Sequence, residues 1–262
     1  MSYETIVFSV QQGIARLTLN RPDKLNCFNV QMHGEVREAL SRVVDEQGRV
    51  LVLSGAGRGF CAGQDLSDRA VAPDGQRADL GHSIDQFYKP LVLALQHLPM
   101  PVIAAVNGVA AGAGANIALA CDLVVARRSA SFVQSFSKLG LVPDCGGTWF
   151  LPRLVGNARA LGLSLLGDKL TAEQAAQWGL IWRCVEDEEF ESSVDALAAQ
   201  LAAAPTLGLA NTKRAIHQSW HRTLEQQLDD ERDRQRELGY SEDYAEGVAA
   251  FMQKRGPNFT GR

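Results

Sequence analysis

Residues 5–10 are β-rich and alternate weakly between apolar and polar side chains. Gly13 breaks the run, and Ile14-Ala15-Arg16-Leu17-Thr18-Leu19 alternates again. A period of two on both sides of a glycine turn predicts a β-hairpin. Asn20-Arg21-Pro22-Asp23-Lys24 then ends the second strand in a turn. Beyond it the period becomes helical. Asn29 is placed to cap a helix reaching about residue 46, with Met32, Val36, Leu40, Val43 and Val44 on one face. Val50-Leu51-Val52-Leu53 and residues 101–106 are apolar on both faces, which predicts buried strands, and Leu123-Val124-Val125-Ala126 predicts a third. Between them, residues 67–81 are polar with Pro73, Gly75 and Gly81 and read as a surface loop. A helix over 83–96 should bend near Pro90.

The buried strands run into small residues. Strand 50–53 leads into Ser54-Gly55-Ala56-Gly57-Arg58-Gly59-Phe60-Cys61-Ala62-Gly63-Gln64-Asp65-Leu66. Residues 101–108 lead into Val109-Ala110-Ala111-Gly112-Ala113-Gly114-Ala115-Asn116, where a helix begins. Strand, glycine-rich turn and short helix in succession predict a layered α/β chain whose turns gather at one end. Helical segments follow at about 148–154, 157–166 and 171–178, then a short strand over 180–185. From Glu186 the pattern is helical throughout, near 188–204, 206–219, 221–238 and 242–254. The stretch 225–237 is dense in both charge signs and reads as a solvated helix surface. This all-helical tail is the expected docking or oligomerisation element.

The candidate chemistry sits in three turns. The glycine-rich turns near Cys61 and Ala113 present backbone N–H groups, and two such groups aimed at one point make an oxyanion hole. Each turn taken alone is better read as close-packed backbone, and the carboxylate turn arriving from a third segment is what makes an oxyanion-plus-acid site competitive. Neither carries the G-K-[S/T] ending of a phosphate loop or the spaced glycines of a dinucleotide fingerprint. The third turn, Pro143-Asp144-Cys145-Gly146-Gly147, brings one carboxylate between what the pattern suggests are buried elements. Asp144 has two readings, a helix N-cap or a lone general acid/base in an apolar pocket. Apolar neighbours such as Phe136, Leu141 and Trp149 would raise its pKa where they face it, and the sequence does not show which of them do. None of His33, His82, His97, His217 and His221 lies next to a glycine-rich turn, so no Ser-His-Asp arrangement is evident. His82, near the polar loop, is the one retained, with a surface position the simpler reading. Asp65 and Asp122 are expected to brace turns.

Composition narrows the partners. The 262 residues carry a net charge of −4, which argues against a nucleic-acid platform. Five cysteines with no C-x-x-C pair suggest neither a disulfide framework nor a zinc site, and fit a reducing cytoplasm. The N-terminal residues have no basic segment followed by an apolar one, so no signal peptide is expected. The apolar stretch 101–121 is interrupted by Asn107, Asn116 and glycines, and is not a membrane span.

Four motifs together give a resemblance. Leu19-Asn20-Arg21-Pro22 with Lys24-Leu25-Asn26, Gly59-Phe60-Cys61-Ala62-Gly63-Gln64-Asp65-Leu66, Pro101-Val102-Ile103-Ala104-Ala105-Val106-Asn107-Gly108, and Leu139-Gly140-Leu141-Val142-Pro143-Asp144-Cys145-Gly146-Gly147-Thr148 resemble the crotonase (enoyl-CoA hydratase/isomerase) superfamily over nearly the whole chain. The resemblance implies an α/β fold, a spiral of ββα units over residues 1–186, with a helical region over 187–262 that builds a trimer or a dimer of trimers. It implies an acyl-CoA thioester substrate and an enolate held by the N–H groups of Cys61 and Ala113. Coenzyme A belongs to the substrate, with no separate cofactor and no metal. Lys24, Leu25, Ala62, Gly63, Gln64, Asp65 and Leu66 would contact the CoA portion, and Gly112, Gly114, Asn116 and Phe136 would line the acyl site. The family's hydratases use two glutamates, and those positions fall on Asn116 and Phe136. Asp144 stands where its isomerases place a single carboxylate. Isomerase activity is therefore expected. The chain also resembles members that convert ring-1,2-epoxyphenylacetyl-CoA to oxepin-CoA in phenylacetate degradation, which implies that activity, with a 3-to-2 double-bond shift in enoyl-CoA as the alternative. An aryl-CoA dehalogenase, an RNA-binding relative and an inactive scaffold are the other readings.

Overall fold

A computed structural model describes residues 3–69 and 79–262. Most of the expected polar loop, residues 70–78, lies outside the described residues. The hairpin forms as expected, β1 (Ile6–Gln11) antiparallel to β2 (Ile14–Leu19). Asn29 caps α1 (Val30–Asp45), its side chain accepting the Met32 N–H at 2.9 Å. Met32, Val36, Leu40 and Val43 are buried, but Val44 is exposed. At about 100° per residue, neighbours 43 and 44 cannot share a face, and Val43 takes the core.

Chain order then reveals the repeat. β3 (Val50–Gly55) is followed by β4 (Gly59–Cys61); α2 (Leu80–Ser83) and α3 (Lys89–His97) come next. β5 (Val102–Val106) is followed by β6 (Val109–Ala111) and α4 (Ala113–Leu119). β7 (Leu123–Arg127) is followed by β8 (Ser131–Val133) and, after a turn, by α5 (Gly147–Leu166). β9 (Lys169–Thr171), α6 (Ala172–Gln177) and β10 (Arg183–Val185) complete the core. The longer strands form one sheet in the order β1-β2-β3-β5-β7-β10, and the short ones a second in the order β4-β6-β8-β9. Each turn of the chain thus gives one strand to each sheet. β4 and β6 fall in the two glycine-rich stretches read as turns, and β8 and β9 lie where no element was expected. Each is three residues long, and pairing with one another makes them strands.

The strand faces divide the core. Val50 and Val52 of β3 pack with Ile103, Val125 and the helix α7 (Phe190–Ala202), while Leu51 and Leu53 face the larger cluster with α1 and α4. After α7 come α8 (Thr206–Ser219), α9 (Leu224–Leu238) and α10 (Glu242–Gln253). Buried Lys213 ties α8 to the core. Its ammonium donates to the Leu95 carbonyl at 2.9 Å and pairs with Asp122 at 2.8 Å. Asp122 also accepts the Val102 N–H, bracing the start of β5. Arg49 holds the chain's last residues by donating to the Ala204 and Phe259 carbonyls.

The bend expected at Pro90 takes another form. The helix starts at Leu80, capped by Asp79, and widens to a π turn over Ile84–Tyr88, in which the Lys89 N–H reaches back five residues to Ile84. Proline has no N–H for the Gln86 carbonyl four residues back; Arg37 donates to that carbonyl instead, at 3.0 Å.

Candidate active site

The two glycine-rich turns meet, and the absence of side chains is what lets them. Gly114 lies in the first turn of α4, directly on the backbone of Cys61. A Cβ at 114 would run into the Cys61 carbonyl and come within 2.8 Å of the Cys61 Cβ. From the other side, a Cβ on Gly63 (φ +96°) would lie 3.3 Å from the Ala113 nitrogen. Ala113 opens α4, so its N–H has no carbonyl within the helix to bond to. Gly112 precedes it at φ 53° and ψ −127°, a backbone region that disfavours any side chain. Cys61 is fully buried, and burial pushes its thiol up to about 12. A thiol that holds its proton this firmly is no nucleophile, so what Cys61 offers is its backbone.

The turn 21–28 fastens the Cys61 segment from outside. Ala62 N–H donates to the Leu25 carbonyl at 2.9 Å, Phe28 N–H to the Gly63 carbonyl at 2.8 Å, and Asp65 N–H to the Phe28 carbonyl at 2.9 Å. Leu25 itself stands at φ 47°. These bonds bring Leu25, Ala62, Gly63, Gln64 and Asp65 into one surface, with Lys24 and Leu66 exposed at its rim. Several of the side chains in it are engaged internally. Arg21 pairs with Asp65 at 2.8 Å, and Asp65 also takes the Ser67 hydroxyl at 2.6 Å. The Ser67 hydroxyl and the Arg21 guanidinium hold the Asp65 carboxyl down at about 2, so it stays charged at any physiological pH. Gln64 accepts from Tyr88 Oη at 2.8 Å and donates to the Phe28 carbonyl at 3.1 Å. Buried Asn26 donates to the Ala56 and Gly59 carbonyls. The motif residues on this surface therefore shape a backbone cradle more than they present free side chains.

The Asp144 turn arrives against the other face of α4. The N-cap of α5 is Gly146, in the left-handed region at φ 79°, and no side chain caps that helix. Asp144 sits two residues earlier, so the cap reading does not hold. Cys145 is left-handed as well, at φ 51°, a conformation that costs an ordinary residue roughly 1–2 kcal/mol. The Asp144 carbonyl accepts two bonds, from the Gly147 N–H at 2.8 Å and from Asn116 Nδ2 at 2.8 Å. The approach to the turn also differs from expectation. Residues Ser135–Leu139 form a 3-10 turn ending at left-handed Gly140, and Leu141 and Val142 are exposed, Val142 at 76%.

Phe136 is buried. Its ring edge lies 3.8 Å from where a Gly112 side chain would begin, so it walls Gly112. Trp149 stacks on His221 with ring centroids 5.2 Å apart and carries the Arg153 guanidinium 3.2 Å above its ring. His82 is exposed on α2, as the simpler reading had it. His33 is buried among Phe28, Phe87 and Tyr88, within 4.6–5.2 Å of each ring. Sequence reasoning passed over Gln134, which is buried and donates to Asn116 Oδ1 at 2.8 Å. Among the described residues, no group of three His, Cys, Asp or Glu side chains could hold a metal ion, and no helix is long and apolar enough to cross a membrane.

Comparison with known proteins gives the family. Residues 9–262 match the family model described as enoyl-CoA hydratase/isomerase. The chain is 57% identical over 260 residues, 99% of both chains, to the 1,2-epoxyphenylacetyl-CoA isomerase of Escherichia coli K12. It is 48% identical over the whole of both chains to a Rhodobacter capsulatus protein named probable enoyl-CoA hydratase. Among solved structures, an enoyl-CoA hydratase/isomerase from Cupriavidus metallidurans CH34 superposes with a TM-score of 0.91 at 32% identity, covering 100% of this chain and 98% of the other. With its alternating two-sheet spiral, its interlocked glycine turns and these matches along its full length, the chain belongs to the enoyl-CoA hydratase/isomerase family.

Proposed function

We propose that this chain is an isomerase of acyl-CoA thioesters that works with one carboxylate, Asp144, beside a backbone oxyanion hole formed by Cys61 and Ala113. One observation carries the reading. Across 112–116 and 136–147, the two segments that meet at the site, Asp144 is the one acid. Asn116 is fully buried with both ends of its amide engaged, and Phe136 is a hydrocarbon wall. A hydratase must activate water and also protonate carbon, which suits two acid/base groups. An isomerase moves one proton and suits a single group that takes it and gives it back.

The steps follow from that. The thioester oxygen sits between the Cys61 and Ala113 N–H groups at the start of α4, where the helix dipole adds to the two hydrogen bonds. Asp144 removes a proton from the α carbon of a 3-enoyl thioester. The electron pair moves onto the thioester oxygen as an extended enolate. Return of the proton at the γ carbon leaves the 2-enoyl product. The relative at 57% identity is named for an epoxide of phenylacetyl-CoA, and a ring-1,2-epoxide is the substrate this reading favours. Buried Phe136, in contact distance of the oxyanion glycine, offers a flat apolar surface for a planar ring. The cradle of 24–25 and 62–66 holds the CoA portion, and the protein needs no further cofactor or metal. A reducing cytoplasm suits its five free thiols. Incubation with ring-1,2-epoxyphenylacetyl-CoA and with a 3-enoyl-CoA should give isomers of unchanged mass. A product heavier by one water, formed as fast as the isomer, would refute the single-carboxylate reading.

The assembly is a trimer or a dimer of trimers of this chain, built through the helical region 187–262. Leu224, Leu228, Val248, Phe251 and Met252 are all exposed, Phe251 at 82%. So much apolar surface on α9 and α10 is more than a monomer ordinarily shows to water. Sedimentation at micromolar concentration should give a species of three or six chains. A clean monomer would overturn the assembly.

A further inference from the structure

Asn116 stands in a position where the family's hydratases carry an acid, yet both ends of its amide are bonded within the protein. It is fully buried and forms the middle of a bracket. Gln134 Nε2 donates to Asn116 Oδ1 at 2.8 Å, and Asn116 Nδ2 donates to the main-chain carbonyl of Asp144 at 2.8 Å. Gln134 follows β8, Asn116 lies on α4, and Asp144 lies in the turn before α5, so three separate segments are joined through one amide. Asn116 is also three residues beyond Ala113 on the same helix, so the two share a face. The helix that offers the oxyanion N–H therefore carries, one turn later, the side chain that holds the carboxylate's backbone.

The local sequence is arranged around this bond. Cys145 and Gly146 are both left-handed, which swings the Asp144 carbonyl toward α4. Gly147 has no side chain where one would run into Asn116 Nδ2. We infer that Asn116 is a positioning residue, which fixes the span between the Ala113 N–H and the Asp144 carboxylate through an amide that accepts from Gln134 and donates to Asp144. The inference rests on Asp144 being the acid/base. Aspartate at 116 would keep the acceptor and lose the donor. Alanine would lose both.

The test uses the full-length protein with 3-enoyl-CoA, over a range of pH. Folding is checked by circular dichroism and thermal melting. Asn116→Ala should lower kcat about 10–100-fold, as a carboxylate misplaced by about 1 Å does, and leave KM within about threefold, since the CoA cradle is untouched. Its pH–rate profile should shift as well, because the surroundings of the Asp144 carboxylate change. Gln134→Met, which keeps volume and removes the donor to Asn116, should move both quantities in the same directions by less. If Asn116→Ala does not fold, Gln134→Met carries the test. A folded variant with wild-type kcat and an unmoved pH profile would overturn the positioning role. That outcome, with Asp144→Asn inactive, condemns the bracket alone; full activity in Asp144→Asn condemns the acid/base assignment itself.

Discussion

Asp144→Asn should lower isomerase kcat by roughly 10²–10⁴-fold while acyl-CoA binding holds. Asparagine is close to aspartate in size and shape. Two bonds at this turn, from Asn116 Nδ2 and the Gly147 N–H, run to the Asp144 main-chain carbonyl, which the change leaves in place. The protein should therefore fold as before. On the proposed mechanism, what is lost is a group that accepts a proton from carbon and returns it. Because α5 is capped at Gly146 and not by the Asp144 side chain, no loss of helix stability is expected to cloud the measurement. A folded Asp144→Asn protein with near-normal turnover would sink the assignment.

Gly114→Ala should cost nearly as much by a different route. One methyl group at 114 meets the Cys61 carbonyl and lies 2.8 Å from the Cys61 Cβ, so the two turns must separate. On the proposed mechanism, separation would move the Cys61 and Ala113 N–H groups off the point where they hold the thioester oxygen. Loss of one oxyanion donor costs about 10²–10³-fold in kcat, and overpacking of this kind costs about 1–3 kcal/mol of stability. Gly34→Ala and Gly162→Ala are the controls. Both glycines lie in helices with nothing within 4 Å of the new Cβ. There the same change should leave activity alone and stabilise the helix by about 0.5–1 kcal/mol. Wild-type turnover in Gly114→Ala would mean that the interlocked turns do not form the oxyanion hole.

The long elements were legible because their patterns are local. β1, β2 and the buried strands β3, β5 and β7 follow from alternation or from continuous apolar runs, and α1 from its cap and period. Gly156, at φ 76°, breaks α5 where the sequence suggested two segments. The second sheet was not legible. Gly59-Phe60-Cys61 and Val109-Ala110-Ala111 have no alternation to read, and become strands only because the spiral lays them side by side. The same holds for the site. Glycines at 63, 112 and 114 announced close backbone approach, and the structure supplies the partner each one approaches. Asp144 was visible as a lone acid, but whether it capped a helix depended on two left-handed residues that sequence does not reveal. Gln134 and the bond it makes to Asn116 join residues 18 apart, and neither residue type nor spacing encodes that bond.

The most direct test of the whole account is a crystal structure of the Asp144→Asn variant soaked with a 3-enoyl-CoA. The account predicts the thioester oxygen about 3 Å from the Cys61 and Ala113 nitrogens, and the substrate's α carbon about 3–3.5 Å from the side chain at 144. A thioester carbonyl turned away from those nitrogens, or an α carbon set against some other acid, would contradict it.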